Sequence, residues 1–291
     1  MQQRDELADL PFPGCWNFFG GLAEETESTE EALERELTEE LGCVPGRFEP
    51  ELFQWEWKSD WASTNNHFFP VRNEMEISRL VLNEGQGFAW LSVEDLVERP
   101  LTPAVYETFS RVAKFLSDLR PDLANRIEDR LLSFNNLQKK NSRVFYAKEN
   151  PCGLSRQQIF LLKELASLRN IPVFRVCLHT DDQCDIHEML MVHTAPTSVG
   201  PLKQCKTSLS YHIIEGSLEI DLHEDRGRNT RKFVLGKNNP CTDRLSSLRL
   251  RADEYRTVRS TTPFAMFLEV ASGPFQDGDT QWLNIERQIH D

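Results

Sequence analysis

Residues 29–41, TEEALERELTEEL, place apolar side chains at Leu33, Leu37 and Leu41 with charged residues between them. At about 100° per residue this spacing lines the leucines along one face of a helix. Ser28 followed by Glu31 is a capping-box pair and Gly42 is a natural stop, so the helix is predicted from near Thr29 to Leu41. Glu36 and Glu40 then fall along the edge of the stripe, one turn apart, with Glu39 beside them. Carboxylates so placed repel by roughly a few tenths of a kcal/mol, a penalty that a bound cation reverses. Arg35 lies one turn after Glu31 and one before Glu39, where it partly neutralises the helix and leaves the edge carboxylates free.

The period then changes. Glu51 to Trp57, ELFQWEW, alternates Phe53, Trp55 and Trp57 onto one strand face. A buried sheet face is the preferred reading, ahead of rings that stack on a nucleobase. His67-Phe68-Phe69 begins another strand. Ser92-Val93-Glu94-Asp95 and Thr102-Pro103 open two helices, the second running through Tyr106, Phe109, Val112, Phe115 and Leu116. Past Arg120-Pro121, a helical stretch with Leu123, Ile127, Leu131 and Leu132 leads into SFNNLQKKNSR, a predicted junction. Ser155 with Gln158 caps a helix with Ile159, Leu162 and Leu165 on one face. Thereafter VFRVCLH, HEMLMVH, SLSYHIIEGSLEIDL, RKFVLG, SLRLR and FAMFLEV read as short strands between turns, an all-β sandwich or barrel.

Composition narrows the chemistry. The chain has 291 residues, enough for two domains, and 39% of them are hydrophobic without a long apolar run, so no membrane span is expected. Net charge is -13, and the first 50 residues hold thirteen acidic against three basic side chains. That field disfavours a nucleic-acid polymer and suits a small anion delivered with metal. Seven cysteines (Cys15, Cys43, Cys152, Cys177, Cys184, Cys205, Cys241) are scattered without CxxC spacing. They read as reduced thiols in a cytoplasmic protein without a signal peptide, and a zinc site among them is not expected.

From Gly21, the chain reads Gly, five residues, Glu27, seven residues, then Arg35-Glu36-Leu37-x-Glu39-Glu40-x-Gly42-Cys43. This pattern resembles the Nudix box, and the resemblance covers residues 1 to about 118. It implies an α/β/α Nudix sandwich and a hydrolase for a nucleoside diphosphate linked to another group. Mg²⁺ or Mn²⁺ would be held by Glu36, Glu39 and Glu40, and Arg35 would pair with Glu27. Gly20 and Gly21 form the tight loop. NEGQGFAWLS at Asn83 to Ser92 is similar to a Nudix loop whose glutamate, here Glu84, adds a carboxylate to the metal or serves as general base; Glu39 is the other candidate base. The strand that normally precedes the box is reduced to Met1–Asp5, implying a start truncated upstream.

The run SYHIIEGSLEIDL, with RVCLHTDDQCDIHEML before it and FLEVASGPF after it, resembles a small cupin family of bacterial polysaccharide gene clusters over about residues 142 to 291. Alignment on it sets Leu202, Gln204, Leu209 and Arg256 where metal-binding cupins carry ligands, so that metal site is expected to be lost. His179, His187, His193 and His212 remain as a replacement set, less expected than a ligand-binding or interaction module. The expected organisation is thus a Nudix domain (1–118), a helical linker (119–141) and an all-β cupin barrel (142–291), with a homodimer as candidate assembly. The competing function is a non-catalytic nucleotide- or sugar-binding sensor or scaffold.

Overall fold

The computed structural model describes residues 1–7, 9–58, 63–194, 196–224, 228–237, 243–276 and 278–283; Cys241 and the last eight residues lie outside them. The chain divides into two compact units, Met1–Leu123 and Ala124–Asp291.

In chain order the first unit holds β1 (Gln2–Gln3), β2 (Trp16–Asn17), α1 (Thr29–Leu41), β3 (Gly46–Phe48), β4 (Phe53–Lys58), β5 (Ser63–Phe68), β6 (Val71–Asn73), β7 (Gly87–Phe88), α2 (Val93–Leu96) and α3 (Pro103–Leu119). Its strands are short. β1 pairs antiparallel with β2 on one side and β7 on the other, so Gln2 and Gln3 supply the middle strand of a three-stranded sheet. β3 pairs with β6 and β4 with β5 as separate ladders.

Helix α1 forms where its capping pattern predicts. The Ser28 side chain accepts from Glu31 N–H, Glu31 returns the bond to Ser28 N–H, and Gly42 turns the chain at φ 71°. Leu37 and Leu41 are buried while Leu33 is half-buried. Each fully buried leucine contributes about 1.5–3 kcal/mol. α2 and α3 also start at their predicted caps, Ser92 and Thr102. In the β4–β5 hairpin, Phe53 stacks on Phe68 with centroids 4.5 Å apart. Arg111 of α3 lies over Phe53 at 5.1 Å and donates to the Gln54 carbonyl at 2.7 Å, tying hairpin to helix.

The second unit is built from longer strands. It contains α4 (Leu123–Leu132), β8 (Leu137–Asn141), β9 (Val144–Ala147), α5 (Arg156–Leu168), β10 (Val173–Cys177), β11 (Ile186–Thr194), β12 (Ser198–Gln204), β13 (Leu209–Glu215), β14 (Ser217–His223), β15 (Asn229–Gly236), β16 (Ser247–Leu250), β17 (Tyr255–Ser260), β18 (Phe264–Ser272) and β19 (Thr280–Trp282). One sheet has the order β16-β13-β18-β11-β10-β9-β8 and the other β15-β14-β17-β12-β19. Their inward side chains, among them Met189, Tyr211 and Phe267 from the first and Leu218, Ile220 and Val258 from the second, form one buried core. This is the two-sheet β architecture expected from the strand pattern.

Two regions hold more structure than their sequence patterns imply. The stretch 119–141 is built into ordered structure: α4 carries Glu128, which accepts from Arg169 at 2.8 Å and from Lys139 at 2.9 Å, and β8 is the edge strand paired with β9. Helix α5 buries Leu162 and Leu165 of its expected face, and more besides. Phe160, Leu161, Lys163, Glu164 and Ala166 are buried as well, the Lys163 ammonium meeting Glu215 at 2.9 Å. A buried charge needs such a partner.

Candidate active site

Helix α1 is the platform. Arg35 gathers its carboxylates: Nε donates to Glu27 at 2.9 Å, Nη1 to Glu36 at 2.9 Å and to Glu39 at 3.2 Å, and Nη2 to the Leu22 carbonyl at 2.9 Å. The Glu27 pairing implied by the Nudix resemblance is present. The freedom of the edge carboxylates is not: Glu36 and Glu39 both lean on the guanidinium, the one positive charge within their reach on this helix. Beside the arginine, the Glu27 carboxyl is held below the usual carboxylate range.

Glu40 behaves differently from its neighbours. It is 4% exposed, buried where the helical wheel had set it at an edge. Gly20 N–H donates to Oε2 at 3.0 Å and the Gln2 side-chain amide donates to Oε1. Burial pushes its carboxyl up to about 7, the two hydrogen bonds oppose that, and the charges of Glu36 and Glu84 add to it. Glu36, Glu40 and Glu84 therefore share one electrostatic neighbourhood.

Glu84 is brought there by the residue before it. Asn83 N–H donates to the Glu40 carbonyl at 2.8 Å, and its side-chain amide donates to the Glu39 carbonyl at 2.9 Å. Both are acceptors left open at a helix C-terminus. Gly85, at φ 88°, then turns the chain so that Gln86 N–H reaches Gln3. On the other side, Gly21 lies against the Glu36 carboxylate, so a side chain at position 21 would have to push that carboxylate aside.

Among the described residues no group of three or more His, Cys, Asp and Glu side chains converges closely enough to hold a metal ion. In the second unit, His179 and His187 stack at 4.2 Å, His193 packs on Phe267, and His212 is exposed, so the four histidines do not form one set. The six cysteines among the described residues are free thiols. No helix of the described residues is long and apolar enough to cross a membrane.

The other side of α1 borders an apolar cavity of about 200 Å³. Leu33, Leu37 and Leu41 form one wall, and Phe18, Phe19, Phe69 and Trp90 stand among the facing residues. Trp90 is 64% exposed. Trp55 and Trp57, weighed as stacking rings, are half-buried in β4 and do not line it. Sequence reasoning missed Gln2, Asn83 and these aromatic residues; the Phe18-Phe19 pair directly before Gly20 was the available signal.

The NUDIX domain family matches residues 1–112. Over 109 residues the chain is 32% identical to the nucleoside triphosphatase NudI of Escherichia coli O139:H28 (strain E24377A / ETEC), covering 33% of this chain and 75% of that protein. Among solved structures, the capsular polysaccharide assembling protein CapF from Staphylococcus aureus aligns at TM-score 0.32 and 8% identity, over 38% of this chain and 31% of that one. A cupin superfamily protein from Desulfitobacterium hafniense aligns at TM-score 0.27 and 15% identity, over 34% of this chain and 76% of that one. The chain thus spans about a third of CapF.

Proposed function

The chain belongs to the NUDIX family through residues 1–112, where it carries a Nudix pyrophosphohydrolase domain, and from that premise we propose a metal-dependent enzyme that cleaves the diphosphate bond of a nucleoside diphosphate linked to another group. Water would attack phosphorus. The observation that carries the reading is the row of Glu36, Glu39 and Glu40 on α1, with the Glu84 charge acting on Glu40; among the described residues, their side chains do not converge into a metal cage in this conformation. Carboxylates in such number repel an anionic nucleotide, so they serve no purpose in a site that only binds one. They become useful with a hard cation between protein and phosphate.

The donors are all carboxylate oxygens, which fit Mg²⁺ or Mn²⁺, and Glu36, Glu39, Glu40 and Glu84 would hold the ion. When bound, such an ion polarises the diphosphate and lowers the pKa of a water molecule. The chain supplies the rest. Arg35 fixes the Gly-rich loop to the helix through Glu27 and the Leu22 carbonyl. Gly20 and Gly21 leave backbone open to approach by phosphate. Glu39, whose side chain is 52% exposed, is the proton acceptor for the attacking water, with Glu84 as the alternative. The apolar cavity behind α1, with Trp90 exposed beside it, gives the non-reacting part of the substrate a surface to stack on.

The relative's name favours a nucleoside triphosphate; the polysaccharide-type cupin resemblance favours a nucleotide sugar. We further assign the chain to the cytoplasm, in keeping with its free thiols. The test is incubation of the full chain with Mg²⁺ or Mn²⁺ and a panel of nucleoside triphosphates, nucleoside diphosphate sugars and dinucleoside polyphosphates, with products separated by anion exchange. Metal-dependent release of a nucleoside monophosphate is expected, abolished by EDTA and by Glu36→Gln. No product from any substrate, with Glu36→Gln indistinguishable from the parent, would leave the non-catalytic sensor. The grip of Arg35 on Glu36 and Glu39 is the observation that favours that second reading.

A further inference from the structure

The cavity beside α1 is walled by apolar groups drawn from distant parts of the first unit. Leu33, Leu37 and Leu41 recur at helical spacing along α1, and Val71 and Asn73 reach it from β6. Phe18 is held edge-on against Phe68, with ring centroids 5.6 Å apart. Phe19 directly precedes Gly20, whose N–H donates to Glu40 at 3.0 Å. One residue thus separates the apolar wall from the acidic edge of the helix. Trp90, 64% exposed, and Ile77 stand where the cavity meets solvent.

Polar groups in that wall are few and already engaged. Apart from the Trp90 indole at the rim, Asn73 is the one polar side chain among the lining residues. Its amide is satisfied at both ends by Met75, donating to the carbonyl at 2.5 Å and accepting from the N–H at 3.2 Å. Ala89 likewise exchanges backbone bonds with Met1: its N–H donates to the Met1 carbonyl at 3.0 Å, and its carbonyl accepts from the Met1 amino group at 3.2 Å. A hydroxyl or a base edge entering here would leave water without finding a partner, which is unfavourable. An apolar group loses nothing and gains with the area it removes from water.

The volume, about 200 Å³, sets the size. An apolar cavity of about 150 Å³ lined by aliphatic and aromatic side chains stays dry and takes up benzene. We infer that the cavity beside α1 binds an uncharged apolar group, one ring or a short alkyl chain, and admits neither a nucleobase nor a sugar. Its link to turnover rests on the hydrolase reading above: the part of the substrate lodged there is an aryl or alkyl group, and any base or sugar stays outside, against Trp90.

The experiment is isothermal titration of the full chain in EDTA with toluene, uridine, adenosine and glucose in turn. Saturable binding of toluene and none of the polar three is expected, with nuclear Overhauser contacts from toluene to the methyl groups of Leu33 and Leu37. Val71→Phe fills the space and should weaken toluene at least tenfold, circular dichroism checking that the variant folds. Absence of toluene binding overturns the site, as do contacts confined to other residues, equally tight binding of a nucleoside, or affinity unchanged in Val71→Phe. The contacts in the unmodified chain decide the matter if that variant does not fold. With any substrate that is hydrolysed, saturating toluene should raise KM at least threefold at constant kcat, and an unaltered KM overturns the substrate's use of the cavity. The titration needs neither metal nor turnover, so loss of this site and loss of the hydrolase reading are separate results.

Discussion

The two units handle excess charge in opposite ways. The first gathers carboxylates along one helix and places a single arginine between two of them and Glu27 of the preceding loop, close to solvent. The second sends Arg256 inward, to the Tyr211 hydroxyl at 2.7 Å, between sheets whose strands reach nine residues. Sheet strength goes with the difference. Two-residue strands such as β1, β2 and β7 fix little by themselves, so the first unit positions its carboxylates through individual hydrogen bonds: Gly20 and Gln2 on Glu40, and Asn83 on the end of α1. A long-stranded core holds its side chains by packing, and can bury polar groups deeply without a separate clamp for each. The first unit's site is therefore vulnerable at single polar contacts, and the second at its core.

The comparison can be broken most forcefully in the second unit. Phe145 is fully buried against Phe174 at 5.3 Å, and Phe145→Ala should cost about 3–5 kcal/mol in urea denaturation. A loss under about 1 kcal/mol would mean that packing does not dominate there. In the first unit, Glu36→Gln should lower kcat by about 10²–10³ while leaving the fold intact, by analogy with loss of one charge-stabilising group. Activity within threefold of the parent would remove Glu36 from the site.

Glu40→Gln tests the clamp itself. The native Glu40 carboxyl, at about 7, lies above its unfolded value of 4.5. The native state thus takes up a proton first, and ionised Glu40 destabilises it: the cost is absent below about pH 4.5 and complete above about pH 7. In EDTA, Glu40→Gln should raise stability progressively from pH 5 to 8, by about 1–3 kcal/mol at the plateau. Melting temperatures of the two proteins across that range check this, and a pH-independent difference refutes it. The smallest effect belongs to a cap: Ser28→Ala should cost about 1 kcal/mol, read by denaturant midpoint.

Much of the scaffold was legible because it is local. Caps at Ser28, Ser92, Thr102 and Ser155 are formed within four residues of chain, and the predicted helices start at all four. Arg35 to Glu27 spans eight residues and follows from the Nudix box. What escaped was non-local or against composition. The Gln2–Glu40 bond joins residues 38 apart and leaves no periodic trace. β12 holds Gly200 and Pro201, which argue against a strand, and its register shifts between Val199 and Leu202. The burial of Lys163 and Glu164 on α5 could not be read from the chain, since it depends on tertiary partners such as Glu215. Of the proposed metal set, the placement of Glu36, Glu39 and Glu40 on one helix was readable. The way Arg35 occupies Glu36 and Glu39 was not, since rotamers are chosen by the folded surroundings.

The bracket formed by Asn83 has a consequence for local opening. Its amide proton is bonded to the carbonyl of Glu40, so although Asn83 and Glu84 lie in an exposed loop, that proton exchanges with solvent only when the loop and the last turn of α1 separate. The loop carrying Glu84 is tied to the helix end by two hydrogen bonds from one residue. Whatever frays the helix end releases that carboxylate in the same event.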